Sequence, residues 1–269
     1  MTRVGDEEPT GHARTDADVV VVIPTYNEAL TLERTVSRLR TAVPTAHILI
    51  VDDGSPDGTG ELADKMAARD SRIEVLHRAG KQGLGRAYVA GFGWALDRGF
   101  GYLVEMDADG SHQPEELPSL LAAAGNADLV LGSRYVPGGS VVNWPRRREV
   151  LSRGANTYTR FMLGLGVHDA TSGFRVFSAS ALRTIDLASV ASQGYCFQID
   201  LAWRAVCAGL RVVEVPITFV EREQGESKMG TGIVKEAFLQ VTRWGAGHRL
   251  RQVRSAVRAP AFRGNADES

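Results

Sequence analysis

Tyr102-Leu103-Val104-Glu105-Met106-Asp107-Ala108-Asp109 is an apolar run that stops at two carboxylates, and the rest of the chain is organised around it. Its first half has the composition of a buried strand, and Gly110-Ser111-His112-Gln113-Pro114 breaks that strand at once. Residues two apart on an extended backbone project from the same face, so Asp107 and Asp109 are expected together at the mouth of a sheet. Like charges at that spacing call for a counter-charge. A hard divalent cation, Mg²⁺ or Mn²⁺, suits them, because it prefers oxygen ligands and is commonly held by a few carboxylates plus substrate phosphates. An isolated Asp-x-Asp would also read as a solvated loop-end pair or as a cap for the helix that begins near Pro114. The stretches on either side favour the metal.

Upstream, Val19-Val20-Val21-Val22-Ile23 is a continuous β-branched run ended by Pro24, as expected of a strand covered on both faces in a parallel sheet. After the turn Pro24-Thr25-Tyr26-Asn27-Glu28, Leu30, Leu32, Val36 and Leu39 recur at helical spacing until Pro44. His47 to Val51 is a second apolar strand, closing on Asp52-Asp53-Gly54-Ser55-Pro56-Asp57-Gly58-Thr59. A helix from Gly60 to Asp70, a strand from Ile73 to Leu76, a glycine-bearing link from Gly80 to Gly85 and a helix from Ala87 to Arg98 lead to Tyr102. This alternation predicts an α/β fold with a doubly wound, mostly parallel sheet. Ligands in such sheets bind beyond the carboxyl ends of the strands, which places Glu28, Asp52, Asp53, Asp107 and Asp109 at one crevice.

Downstream, the pattern predicts a helix from Glu115 to Ala124, a strand from Ala127 to Leu131, a Gly/Pro/basic link, and a helix from Arg148 to Leu163. A turn from His168 to Arg175, a further helix and a strand from Arg211 to Val215 follow, then a polar loop from Arg222 to Gly230. The layout expected is a disordered tail over 1–18, one catalytic domain over 19–230, an amphipathic helix with a basic segment over 231–258, and a disordered tail over 259–269.

A formal net charge of -1 over 269 residues argues against a nucleic-acid binder. Cys196 and Cys207 lack disulfide or ligand spacing and read as core thiols of a protein in a reducing compartment. No Gly-x-Gly-x-x-Gly opens a helix after the first strand, and there is no Walker A pattern, no Gly-x-Ser-x-Gly elbow and no zinc-spaced histidine. His112, alone among the histidines in lying beside the carboxylates, reads as a hydrogen-bonding scaffold.

The segments Pro24 to Glu28, Val51 to Thr59, Asp107-Ala108-Asp109, Gly132-Ser133-Arg134-Tyr135, Thr171-Ser172-Gly173-Phe174-Arg175 and Gly225-Glu226-Ser227-Lys228 together resemble the family 2 glycosyltransferases of the GT-A fold. Within that family the order of these motifs is closest to the dolichol-phosphate, or polyprenol-phosphate, mannose synthases. The resemblance implies GDP-mannose as donor, a polyprenyl monophosphate as acceptor, Mg²⁺ or Mn²⁺, and inversion at the anomeric carbon. It implies nucleoside contacts from Pro24, Tyr26, Glu28 and Asp52 or Asp53, and sugar and diphosphate contacts from Asp107, Ala108 and Asp109. Asp109 would ligate the metal, with the hydroxyl of Ser111 or a water completing the shell. Arg134, Arg148, Ser152 and Arg222 match positions that handle the phosphates, and Ser227 and Lys228 lie on the loop that would close over them. Asp107, Asp109, Arg134 and Arg222 are thus the residues expected to carry the chemistry. Arg146, Arg147 and Arg153 read as solvated charges.

A phosphate oxygen is already anionic at neutral pH, so transfer to it needs no general base, in contrast to transfer to a hydroxyl. Val141, Val142 and Trp144 offer an apolar route for the acceptor. Two other readings share these motifs: a polyprenyl-phosphate glucose synthase using UDP-glucose, and a non-catalytic nucleotide-sugar-binding subunit of a membrane complex. The acceptor implies work at a membrane, on its cytoplasmic face. The chain has no run of the ~18 or more apolar residues that a span requires. The expected attachment is therefore peripheral, through a helix carrying Ile233, Val234, Ala237, Phe238, Val241 and Trp244 and through Arg249, Arg251, Arg254 and Arg258, with a small membrane protein as an alternative receiver.

Overall fold

A computed structural model describes residues 18–190, 195–222 and 238–247. Four βα steps come first, formed by β1 (Val19–Thr25), α1 (Leu32–Ala42), β2 (His47–Asp52), α2 (Thr59–Ala67), β3 (Ile73–His77), α3 (Leu84–Asp97), β4 (Tyr102–Glu105) and, after a 3₁₀ turn, α4 (Leu117–Ala124). β5 (Leu129–Ser133), β6 (Ser140–Val142), α5 (Arg146–Leu163), β7 (Arg175–Ser178), α6 (Ala179–Ile185), α7 (Tyr195–Cys207), β8 (Val212–Pro216) and β9 (Thr218–Val220) follow, and residues 238–247 are helical.

Seven strands form one sheet in the order β3-β2-β1-β4-β7-β5-β8, parallel except for β7. Because side chains alternate along a strand, Val20 and Val22 of β1 enter the core beneath α3, α6 and α7, whereas Val19, Val21 and Ile23 enter the core beneath α1 and α4. A strand covered on both faces has no solvent side to make polar, which is why β1 reads as unbroken apolar sequence. α3 lies close on the sheet at Gly91, where a Cβ would stand 2.5 Å from the Val22 side chain.

The mostly parallel, doubly wound α/β architecture matches the sequence expectation, and several details differ. The turn and helix expected after His168 include a strand, β7, which has only four residues and begins with an arginine. β6 and β9 pair as a small parallel sheet of three residues each, too short for a hydrophobic period to show. β5 runs two residues later than read, α5 begins at Arg146, and Leu30 precedes α1 and faces solvent. Cys207, read as a core thiol, is exposed at the end of α7, whereas Cys196 is buried. In the 238–247 helix Val241 is buried, Trp244 stacks on Trp203 at 5.6 Å, and Gly245 sits against the Met162 backbone, so this part of the expected apolar stripe packs onto α5 and α7. Ile233, Val234, Ala237 and Arg249 to Arg258 lie outside the described residues. No described helix is long and apolar enough to cross a membrane.

Antiparallel pairing of β4 with β7 sets Glu105 opposite Arg175, and both side chains are fully buried, 3.6 Å apart. Arg175 donates to the carbonyls of Ser172 (2.7 Å), Gln198 (2.7 Å) and Ala170 (2.8 Å), so its charge clamps three backbone segments. Burial pushes the Glu105 carboxyl up to about 8, opposed by Arg175 and reinforced by Asp107. The folded protein therefore keeps this proton over a range, from about 4.5 to about 8, in which the unfolded chain has released it. That contribution is complete below 4.5 and is lost as pH rises towards 8. Glu105→Gln is expected to flatten the fall of unfolding free energy across this window, as measured by denaturant melts; an unchanged slope would mean that Glu105 is ionised in the folded state.

Candidate active site

The carboxyl ends of β1, β2 and β4 lie side by side, since β1 pairs in parallel with both neighbours. They carry the five acidic residues expected there, Glu28, Asp52, Asp53, Asp107 and Asp109, and each is held differently. Asp52 is buried and accepts from the hydroxyl of Thr25 (3.0 Å) and from the backbone N–H (3.1 Å) and hydroxyl (2.6 Å) of Ser55, which shapes the turn after β2. Asp53 pairs with Arg78 and accepts from Gln82 N–H (3.2 Å). Lys81, in the same link, sets its ammonium 4.3 Å over the ring of Tyr26. Pro24 is in β1 itself, and Glu28 receives the hydroxyl of Thr31 (3.2 Å), with its own N–H on Thr59 (3.0 Å). Burial would raise the Asp57 carboxyl, but hydrogen bonds from Thr59 and from Ala29 N–H outweigh it and hold the group low, so Asp57 ties the loop after β1 to the start of α2.

Asp107 receives the hydroxyl of Tyr88 (3.1 Å), and its N–H donates to Nδ1 of His112 (3.1 Å). Burial together with the carboxylates of Asp107 and Glu105 pushes the Tyr88 phenol well up, so it remains a neutral donor. His112 is buried, stacked on Phe174 at 5.2 Å, and burial lowers its imidazole to about 4. With Nδ1 accepting from the backbone, the ring is neutral and carries its hydrogen on Nε2. It is the scaffold expected. Gly173 closes on this group: a Cβ there would stand 3.6 Å from Asp107 Oδ2 and 3.5 Å from the His112 ring.

Asp109 accepts from Ser111 N–H (3.0 Å) and pairs with Arg222 (3.1 Å). The neighbouring residue, Glu221, pairs with Arg148, whose guanidinium lies 4.2 Å over the ring of Trp144. β9 thus ends in two consecutive charges, one directed at Asp109 and the other at the start of α5. Hydrogen bonds from Val220 N–H to Ser111 (3.1 Å) and from Glu221 N–H to Val142 (3.0 Å) fix that end of β9 between the carboxylate loop and β6. Ser152, one turn after Arg148, receives the hydroxyl of Tyr135 (2.6 Å).

Arg134 is buried, and its Nε and Nη2 bind both oxygens of Asp169 at 2.7 and 2.6 Å while Nη2 also reaches Thr171 (2.8 Å). Sequence reasoning assigned no part to Asp169, Arg78, Tyr88, Lys81 or Glu221, although Asp169 stands two residues before the Thr171-to-Arg175 motif, where the chain offers a short acid beside a run of small polar residues. Arg153 pairs with Glu149 and lies over Tyr135, while Arg146 and Arg147 are exposed as expected. Ser227 and Lys228 fall outside the described residues.

The donor set fits a divalent cation. Asp107 and Asp109 present hard oxygens at a strand end, and the Arg222 guanidinium on Asp109 marks a position where positive charge is favourable. No group of three His, Cys, Asp or Glu ligands exists among the described residues, so substrate oxygens would have to complete the shell.

Residues 20–186 match the family model described as glycosyl transferase family 2. The chain is 56% identical to the polyprenol monophosphomannose synthase of Mycolicibacterium smegmatis, over 94% of this chain and 97% of that protein. It is 57% identical to the undecaprenyl-phosphate mannosyltransferase of Micrococcus luteus, over 89% of this chain and 98% of that protein. Among solved structures, glucosyl-3-phosphoglycerate synthase from Mycobacterium tuberculosis with phosphoglyceric acid superposes with a TM-score of 0.60 at 20% identity, covering 85% of this chain and 79% of that one. The same enzyme with Mn²⁺ and UDP-glucose gives 0.60 at 20% identity, covering 84% and 77%. With its GT-A-like sheet and a family match across most of it, this chain belongs to glycosyl transferase family 2.

Proposed function

We propose that the chain transfers mannose from GDP-mannose to a polyprenyl monophosphate, with inversion. The two mannosyltransferase relatives, each above half identical over nearly their full length, support the sugar and the lipid acceptor. The observation that carries the reading is the state of His112, the histidine beside the carboxylates: buried, neutral and already accepting a backbone hydrogen bond, it is unsuited to take a proton from an incoming hydroxyl. An acceptor that arrives as an anion removes that need.

An oxygen of the acceptor phosphate attacks C1 of mannose, the bond from C1 to the β-phosphate oxygen breaks, and GDP leaves with the electron pair. Asp109, with Ser111 beside it, would hold Mg²⁺ or Mn²⁺; that cation would neutralise the departing diphosphate. Arg222 would add charge on the same side once it leaves Asp109, and Asp107, held by Tyr88 and His112, would orient the sugar. Tyr26, Pro24, Glu28 and Asp53 border the nucleoside region. Arg148 and Ser152 belong on the acceptor side, next to Trp144, Val141 and Val142.

Turnover of labelled GDP-mannose into organic-extractable lipid tests the reading, with UDP-glucose as the competing donor; incorporation from UDP-glucose alone would overturn the donor. Arg148→Ala is expected to raise the acceptor KM by roughly tenfold or more, since a charged hydrogen bond to phosphate contributes about 1.5–3 kcal/mol. Calorimetry should find GDP-mannose affinity unchanged. A large loss there would move Arg148 to the donor side.

A further inference from the structure

Gly173, at the centre of the Thr171-to-Arg175 motif, is a glycine that the fold itself does not require. Its φ is not positive, so the backbone would accept a side chain. Packing would accept one too: a Cβ there would stand 3.5 Å from the His112 ring, 3.6 Å from Asp107 Oδ2 and 3.9 Å from Gln198 Nε2, all ordinary van der Waals distances. At Gly91 and Gly132, by contrast, a Cβ would come within 2.5 and 2.9 Å of a packed side chain. Gly173 is half-buried, and the side chain it lacks leaves a small space beside Asp107.

Gln198 borders that space from the first turn of α7. It is 4% exposed, and its Oε1 is buried with no hydrogen-bond partner among the described residues. A buried acceptor left unpaired destabilises a fold and asks for a reason. Its backbone carbonyl accepts from Arg175 (2.7 Å), and the same guanidinium grips the carbonyls of Ser172 and Ala170, so one buried cation fixes both walls of the space. Phe197, the residue before, stacks on Tyr88 at 6.0 Å, and Tyr88 holds Asp107. The amide is therefore fixed in place with one hydrogen-bonding position to spare.

The walls select the ligand. A carboxylate, a neutral amide and the edge of a neutral imidazole offer no positive charge to a phosphate. An isoprenoid chain would leave Asp107 and Gln198 facing it unpaired. Sugar hydroxyls suit both groups, since the carboxylate accepts from one while the amide accepts from or donates to another. We infer that the space over Gly173 receives one edge of the donor hexose, and that the Gln198 amide binds a hydroxyl of that sugar beside Asp107. Gln198 thus reads the sugar and not the nucleotide. This rests on the reading that the donor is a nucleotide sugar bound at Asp107.

Two variants of the full chain test it. Gln198→Met keeps the length of the side chain and removes the unpaired acceptor, so thermal unfolding should stay as in the wild type or rise. Calorimetry should find GDP bound as in the wild type, while kcat/KM for GDP-mannose falls roughly tenfold or more, as when a sugar hydroxyl loses its partner. Gly173→Ala should also unfold and bind GDP as the wild type does, yet lose GDP-mannose turnover by a similar factor, because its methyl fills the space of the sugar. GDP-mannose analogues that each lack one sugar hydroxyl locate the contact: one of them should be a poor donor for the wild type and lose nothing further with Gln198→Met. A Gln198→Met enzyme that uses GDP-mannose like the wild type overturns the proposal. So does one that unfolds earlier and loses GDP as well, which would make Gln198 a packing residue, and so does an equal penalty with every analogue. Turnover of UDP-glucose alone by the wild type would refute the assigned donor, whereas Gln198→Met that still binds UDP but loses UDP-glucose would uphold the role of Gln198.

Discussion

Asp109→Asn is expected to lower turnover by roughly 10²–10³-fold, as for loss of one preorganised stabiliser of developing charge, because the cation that Asp109 would hold neutralises the departing diphosphate. The fold should survive. Asp109 lies beyond the end of β4 and packs no core; an asparagine oxygen can still accept from Ser111 N–H, and the loss of the Arg222 pair at a partly exposed site should cost about 1 kcal/mol. Arg222 pairs with Asp109 at the end of β9, so a cation held by that carboxylate would take over the charge that the arginine supplies there. Calorimetric titration with Mn²⁺ in the presence of GDP should accordingly show affinity in the wild type and little in the variant. Turnover indifferent both to the substitution and to chelator would remove the metal from the mechanism.

Asp169→Ala should be the most damaging substitution for stability, at about 3–5 kcal/mol, because it removes the carboxylate that binds the buried Arg134 guanidinium at two nitrogens. Asp169 accepts from the N–H (3.0 Å), Nε (2.7 Å) and Nη2 (2.6 Å) of Arg134 and from the Thr171 hydroxyl (3.1 Å). Burial alone would raise this carboxyl, but the Arg134 guanidinium overrides it and holds the group below its usual value. Activity should fall as well, since Arg134 also grips Thr171 at the head of the loop that brings Gly173 against Asp107. Denaturant unfolding and kcat of the purified variant check both parts. If stability changed by less than about 1 kcal/mol, the pair would not be structural, and Arg134 would be available to bind phosphate directly.

The parallel half of the sheet was legible in the chain because each of its first three helical crossovers leaves a period of its own, and because β1, β2 and β4 are covered on both faces and so read as unbroken apolar runs. The strand ends were legible for a related reason. Carboxylates and turn residues following an apolar run have nowhere to go but the rim of the sheet, where Asp52, Asp53, Asp107 and Asp109 all stand. β7 was not legible. A four-residue strand beginning with a fully buried arginine breaks every apolar pattern, and the carbonyls of Ala170, Ser172 and Gln198 that accept from its guanidinium make that burial tolerable.

By itself, the sequence determined the α/β class, the alternation of the early strands and helices along the chain and the edge on which the acidic residues gather, since these follow from local periodicity and from where apolar runs stop. The tertiary structure alone decided what each charge faces. Arg78 meets Asp53, Arg134 meets Asp169 at a separation of 35 residues, and Arg148 meets Glu221 at 73. Which arginine is buried against a carboxylate, which rests on a ring and which stands at the metal ligand depends on groups brought together across the fold. A side chain's charge is written in its residue type, but its partner and its solvation are set by packing.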